Sequence, residues 1–319
     1  MRKPLKSDVL LGESWVLGHK MIRYGHVAAA IGAAMMVCAG GDVAAQQRGA
    51  GWSWVVDGLA VYQFEADLSG GGTFSANRQF LRAGALYRDL EGTSYGVLAS
   101  YGQLDYDFAG PAPWGNVTDF RVSAPVRFTF GETGAVFVSP QVRWDYESGA
   151  SASDSMTYGV FGGVSWKINP NLRIGPAMGV FSELGTNGVE IFPALLVDWD
   201  IADRWNLSTG AGLGASQGPG VSLTYEASDT VNVSLITRSE KVRFLLDNSG
   251  VAPGGVGEDS SVPVVMSVEF KPSRALTLSA FAGAEFDGRL QLENTAGSVV
   301  SSQSYDPAPI AGFSFRYIF

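Results

Sequence analysis

The strongest constraint in this sequence is an alternation of period two that persists from Trp54 to the final residue, Phe319. It is clearest in DFRVSAPVRFTF, residues 119–130, which runs through GETG into AVFVSPQVRWDYE, residues 135–147. Phe120, Val122, Ala124, Val126, Phe128 and Phe130 are apolar, while Arg121, Ser123, Arg127 and Thr129 between them are polar. After the turn, Val136, Val138, Val142, Trp144 and Tyr146 alternate with Ser139, Gln141, Arg143, Asp145 and Glu147. Side chains of an extended strand point to opposite faces in turn, so this is an antiparallel hairpin with one apolar and one polar face. No convincing helical period appears after residue 45.

The same unit recurs around INPN, DIADR and KPSR, turns whose Asn, Asp, Pro and Ser favour tight reversals. Between these hairpins lie longer polar or Gly-rich segments, including DFAGPAPWGN, ESGASASD, DNSGVAPGGVGEDSS and residues 288–307. The pattern predicts about fourteen strands: near 54–67, 77–89, 93–107, 117–130, 135–147, 155–168, 172–183, 188–200, 204–215, 220–228, 231–246, 261–270, 275–287 and 309–319. Counts of twelve or sixteen also fit. In 77–89, Phe80 and Leu86 share a face with Arg82, and in 231–246 the apolar phase shifts near Arg238, so a slip or bulge is expected in both.

Two architectures accept such strands: a sandwich with its apolar faces inward, or a transmembrane barrel with its apolar face toward lipid. Strands of ten to fourteen residues exceed the usual five or six and match the roughly 9 to 11 that cross a bilayer with tilt. Phe128, Phe130, Trp166, Trp199, Trp205 and Phe270 crowd the strand ends beside short turns, as interfacial girdles do. Short connections alternate with long ones, as periplasmic turns and extracellular loops do. The expected fold is therefore all-β, a single antiparallel up-and-down transmembrane barrel. Residues 1–45 read as a leader, with Met21 as a start of ordinary proportions and a signal peptide running to Ala45. Residues 46–319 form the barrel.

The ending carries the most specific likeness. GFSFRYIF places Phe313, Phe315, Tyr317 and Phe319 on alternate positions, and in this the chain resembles bacterial outer-membrane β-barrel proteins. That resemblance implies an outer-membrane location, contact with lipid and lipopolysaccharide, and recognition of the last strand by the barrel-assembly machinery. The size and turn style resemble uncharacterised barrel families and porin-like channels. Ile318 breaks the pattern, being apolar on the inward parity.

Inventory narrows the chemistry. The first 45 residues hold five bases and three acids, so the remainder moves from net −9 to net −11. An acidic balance opposes binding to a phosphate backbone, and nucleic acid is not an expected partner. Both histidines and the lone cysteine, Cys38, also lie in the leader. Cys or His metal sites and a serine activated by imidazole are thereby excluded from the barrel, and no cofactor or enzymatic activity is expected. Glycine makes up 41 of 319 residues, nearly twice the usual share of about 7%. The run GAGLGAS, residues 210–216, is read as small side chains in a crowded strand, since no βαβ unit surrounds it.

For the lumen, strand direction predicts a belt of Arg82, Arg121, Arg143 and Arg238, with Arg127, Arg173 and Arg316 lower. Above it, an acidic mouth of Glu65, Asp67, Asp105, Asp107, Asp145, Glu147, Glu285 and Asp287 is expected, joined by Glu183 and Glu190. Two functions follow. Rings of fixed charge would select ions or small hydrophilic solutes in a passive channel. Alternatively, the same charges pair and plug the lumen of a structural or surface-interaction protein. An apolar inner path, which a carrier of hydrophobic molecules would need, is not evident in the pattern.

Overall fold

The computed structural model describes residues 50–186, 188–209 and 220–319; residues 1–45, read above as a leader, and GAGLGAS lie outside them. The described residues form one sheet of seventeen segments, antiparallel apart from a single parallel bridge, in which the first and last pair with each other, so the sheet closes. The segments are β1 (Gly51–Asp67), β2 (Thr73–Arg88), β3 (Ser94–Ala109), β4 (Val117–Ser123), β5 (Val126–Phe130) and β6 (Gly134–Glu147). Next come β7 (Met156–Asn169), β8 (Leu172–Ser182), β9 (Val189–Ala202), β10 (Trp205–Thr209) and β11 (Gly220–Ser228). The last are β12 (Val231–Arg238), β13 (Glu240–Leu245), β14 (Val256–Phe270), β15 (Leu276–Glu293), β16 (Val299–Tyr305) and β17 (Ala308–Ile318).

Three neighbouring pairs are single staves with a break: β4 and β5 at Ala124-Pro125, β12 and β13 at Ser239, and β16 and β17 at Asp306-Pro307. Proline lacks the donor a ladder needs, which accounts for two of the breaks. The barrel therefore has fourteen staves. Both ends of the described chain lie on the short-turn side, where Phe319 donates its backbone N–H to Trp54.

Two expected irregularities are relocated. β2 pairs with β3 without a slip, and the bulge near it lies in β1, where Phe64 and Glu65 intervene between Gln63 and Ala66. The break at Ser239 leaves the register with β14 unchanged. A further bulge sits in β15 at Asp287, whose φ of 52° is left-handed; aspartate tolerates that conformation better than most residues.

The outer face is apolar. Leu81, Val97, Tyr101, Tyr158, Met178, Ile191, Leu235 and Met266 are all exposed on outward positions, a band far larger than a soluble monomer presents to water. Near the short turns it ends in aromatic contacts: Trp52 with Tyr87 and Tyr95, Phe130 with Trp166, Trp205 with Tyr225, and Tyr317 with Phe319.

The two ends of the barrel differ. Nine segments (β1, β2, β3, β4, β6, β13, β14, β15 and β16) pair in turn at the long-loop end. Leu245 bridges to Tyr146, and Leu68 to Tyr305, completing the ring. Inside lies a hydrophobic core that includes Phe74, Leu104, Trp114, Phe244, Leu292 and Tyr305. Segments 288–293 and 256–260, expected as loops, belong to this ring. Here the polarity is reversed: Leu290 and Leu292 point in while Arg289 points out, so a pattern read for lipid contact misses them.

Candidate functional site

Below the core the lumen is crossed by a layer of buried charge. Arg78 of β2 donates to Glu285 of β15, to Asp259 of β14 at 3.1 Å and to Gln63 of β1 at 2.8 Å. The Tyr106 hydroxyl donates to Asp259 at 2.9 Å, and that of Tyr305 reaches Glu285 at 3.4 Å. A guanidinium out of water is tolerated only with such partners, and the layer ties together β1, β2, β3, β14, β15 and β16. Sequence reasoning passed over Arg78, although it shares the inward parity of Arg82; the aromatic Phe80 between them masked which face was which.

Every arginine of the anticipated belt has a carboxylate neighbour. Asp57, fully buried, holds Arg82 at 2.7 Å and also accepts from Arg316. Arg143 donates to Asp119 at 2.7 Å and Asp145 at 3.0 Å, and Arg121 lies 3.8 Å from Asp119. Arg238 meets Glu240 at 3.2 Å. A ring of unpaired charge is not what these residues form, because each lies beside an inward carboxylate on its own or a neighbouring strand.

The anticipated acidic mouth divides. Asp145, Glu147 and Glu285 point inward and are buried. Glu147 accepts from the backbone N–H of Gly115 and, at 2.9 Å, from that of Asp247, stapling two loops across the ring's seam. Glu65, Asp67, Asp105, Asp107 and Asp287 instead lie on outward positions, a correction with two causes. The bulge after Gln63 reverses the parity of Glu65 and Asp67, and Asp287 occupies its own bulge. Asp105 and Asp107 share the face of the exposed Tyr95, Val97 and Tyr101, while Leu104 and Tyr106 between them are buried; that parity was readable in the sequence. Glu183 and Glu190 meet the outer face of β13, at 3.9 Å from Arg243 and 3.3 Å from Lys241 respectively.

The inner wall is more apolar than the sequence pattern indicated. Phe137, Phe161, Phe192 and Phe181, from four consecutive staves, contact one another with ring centroids 5.3, 5.7 and 5.6 Å apart. Several inward rings lie over glycines: a Cβ on Gly312 would stand 2.3 Å from Phe281, and one on Gly102 would stand 2.4 Å from Phe80. Much of the glycine excess thus provides slots for rings. On the other side of the lumen is a cavity of about 380 Å³. Arg78, Glu285, Arg238 and Glu240 roof it; Leu59, Val61, Phe80, Ile236, Val265, Phe281 and Ile310 form its waist. Asn232, Ser267, Ser279, Ser314 and Glu269 line the end nearer the short turns.

At the carboxyl end, Phe313, Phe315 and Tyr317 pair opposite Ala60, Gly58 and Val56 of β1. The Phe315 ring covers Gly58 on the outer face. Ile318, anomalous in the sequence, pairs with the buried Val55 on the inner face.

Among solved structures, the chain is similar to the COG4313 outer membrane channel from Pseudomonas putida F1, with 11% identity and a TM-score of 0.48 over 88% of this chain and 98% of that one. It is also similar to a Pseudomonas aeruginosa FadL homologue, with 10% identity and a TM-score of 0.44 over 83% and 89%. The KdgM porin gives 8% identity and a TM-score of 0.37 over 82% and 98%. No curated protein matches the sequence. Residues 151–311, half of the chain, match the family model described as "Domain of unknown function (DUF6268)". The chain belongs to the DUF6268 family.

Proposed function

We propose that this protein is an outer-membrane channel for small molecules, with a route walled by apolar side chains rather than by free charge. The observation that carries this reading is the inner surface itself: four mutually packed phenylalanines on one side, an apolar-waisted cavity on the other, and arginines paired with carboxylates. Paired charges supply little of the field that selects ions, whereas apolar walls with a few polar groups suit organic solutes. The route runs from the short-turn end through the cavity and leaves beside the upper ring, where the described residues of staves β7 to β11 do not join it.

Thiol access tests this. Cys38 is the only native cysteine, so a Val265→Cys variant carries a single thiol in the barrel. In oriented proteoliposomes, a small membrane-impermeant thiosulfonate is expected to label it from either face. Labelling from one face alone, or only after unfolding, would refute a through route. The rival reading, a structural barrel with a closed lumen, is favoured by the side chains filling the upper ring, and it predicts that one-sided result. Under either reading, Phe313, Phe315, Tyr317 and Phe319 act as the signal for assembly, with lipid and lipopolysaccharide as the barrel's partners.

A further inference from the structure

The charges around the cavity differ in how far a ligand can reach them. Arg78, Asp259 and Glu285 are committed to one another, and their side chains are 8%, 3% and 2% exposed. Arg238 is 11% exposed, whereas its partner Glu240 is 26% exposed. The reachable ionic atoms at the roof therefore belong mainly to a carboxylate. Asp259 stands behind the roof on Arg78, so Arg78 and Arg238 together face three carboxylates, Asp259, Glu285 and Glu240. A positively charged head beside Glu240 would bring the group to neutrality, and a carboxylate head would deepen the excess.

We propose that this cavity binds amphipathic cations, with the apolar body against Leu59, Phe80, Val265 and Phe281 and an ammonium head at Glu240. This assignment rests on the lumen being a small-molecule route and names the class of solute that route prefers. The apolar waist sets the requirement for a hydrocarbon or aromatic body. Glu240 sets the sign of the head. Toward the other end the hydroxyls of Ser234, Ser267 and Ser279 accommodate polar groups, and the carboxylate there, Glu269, is paired with Lys271 at 2.8 Å.

Three near-isosteric probes separate these contributions: 4-phenylbutylamine, 4-phenylbutanol and 4-phenylbutyrate, titrated calorimetrically at pH 7 into the full barrel held in nanodiscs. The amine is expected to saturate one site at least tenfold more tightly than the carboxylate, with the alcohol between them. In Glu240→Gln, the amine should weaken about tenfold and the alcohol by less than twofold, erasing the preference. Val265→Phe, which fills the waist without altering charge, should weaken all three and keeps the test valid if the first variant does not fold. Equal or tighter binding of the carboxylate by the native barrel, or an unchanged preference in Glu240→Gln, would overturn the assignment. Two-sided thiol labelling of Val265→Cys without this order removes the cation site and leaves the channel. The order without two-sided labelling keeps the site and removes the channel.

Discussion

Replacing Arg78 with methionine keeps an unbranched chain of similar length but removes the charge at the centre of the buried layer. Asp259 and Glu285 would then face each other inside the lumen without the guanidinium that donates to both. Breaking a buried pair by deleting one partner typically costs about 3–5 kcal/mol, and both carboxylates are almost wholly buried, so the full range applies. For a slope of about 2 kcal/mol per M of urea, the unfolding midpoint should fall by about 1.5–2.5 M. The seven tryptophans of residues 46–319 give a fluorescence signal for equilibrium unfolding from lipid vesicles. The combined variant Arg78→Met, Asp259→Asn, Glu285→Gln should recover most of the loss, because the amides leave no uncompensated charge and still bond to Tyr106 and Tyr305. A loss below about 1 kcal/mol in the single variant would refute the reasoning, because it would mean the layer is solvated. A triple variant no more stable than the single one would refute it equally.

Gly312→Val must displace the Phe281 ring, which lies 2.3 Å from where its Cβ would stand, and overpacking of this kind costs about 1–3 kcal/mol. Denaturant unfolding would register that loss, and adding Phe281→Ala should restore part of it. Glu147→Ala removes the acceptor of the Gly115 and Asp247 backbone N–H groups, each such bond to a charged group being worth about 1.5–3 kcal/mol. Limited proteolysis should then cut within 110–116 and 246–255 while the lower staves stay intact, and an unchanged digest would count against the staple. Deleting Phe319 should lower the yield of inserted barrel in cells yet leave the refolded protein's stability within about 0.5 kcal/mol of the native value, as for a surface position.

The staves were legible because lipid demands a continuous apolar outer face. Val126, Phe128 and Phe130, or Tyr158, Val160 and Trp166, declare their orientation without help from the rest of the chain. Legibility ends where the outside is water. In the upper ring, the apolar residues Leu290, Leu292, Val242 and Phe244 point inward, so segments built on them read as loops or as a shift of phase near Arg238. The lumen was obscured for a related reason: Phe80, Phe137, Phe161, Phe181 and Phe192 are as apolar as the residues facing lipid, and hydrophobicity alone does not separate the faces. Pairings such as Arg316 with Asp57 or Arg78 with Glu285 join strands far apart in sequence. Only the closed sheet brings them together.

Single-channel recording of the native barrel in planar bilayers tests most directly whether the lumen is apolar-walled with its charges paired. The account predicts a small current whose cation-to-anion preference is unchanged in Arg82→Glu and Arg316→Glu. A steadily open channel whose cation-to-anion preference reverses with Arg82→Glu or Arg316→Glu would contradict it, because those side chains would then line a water-filled path instead of closing on Asp57.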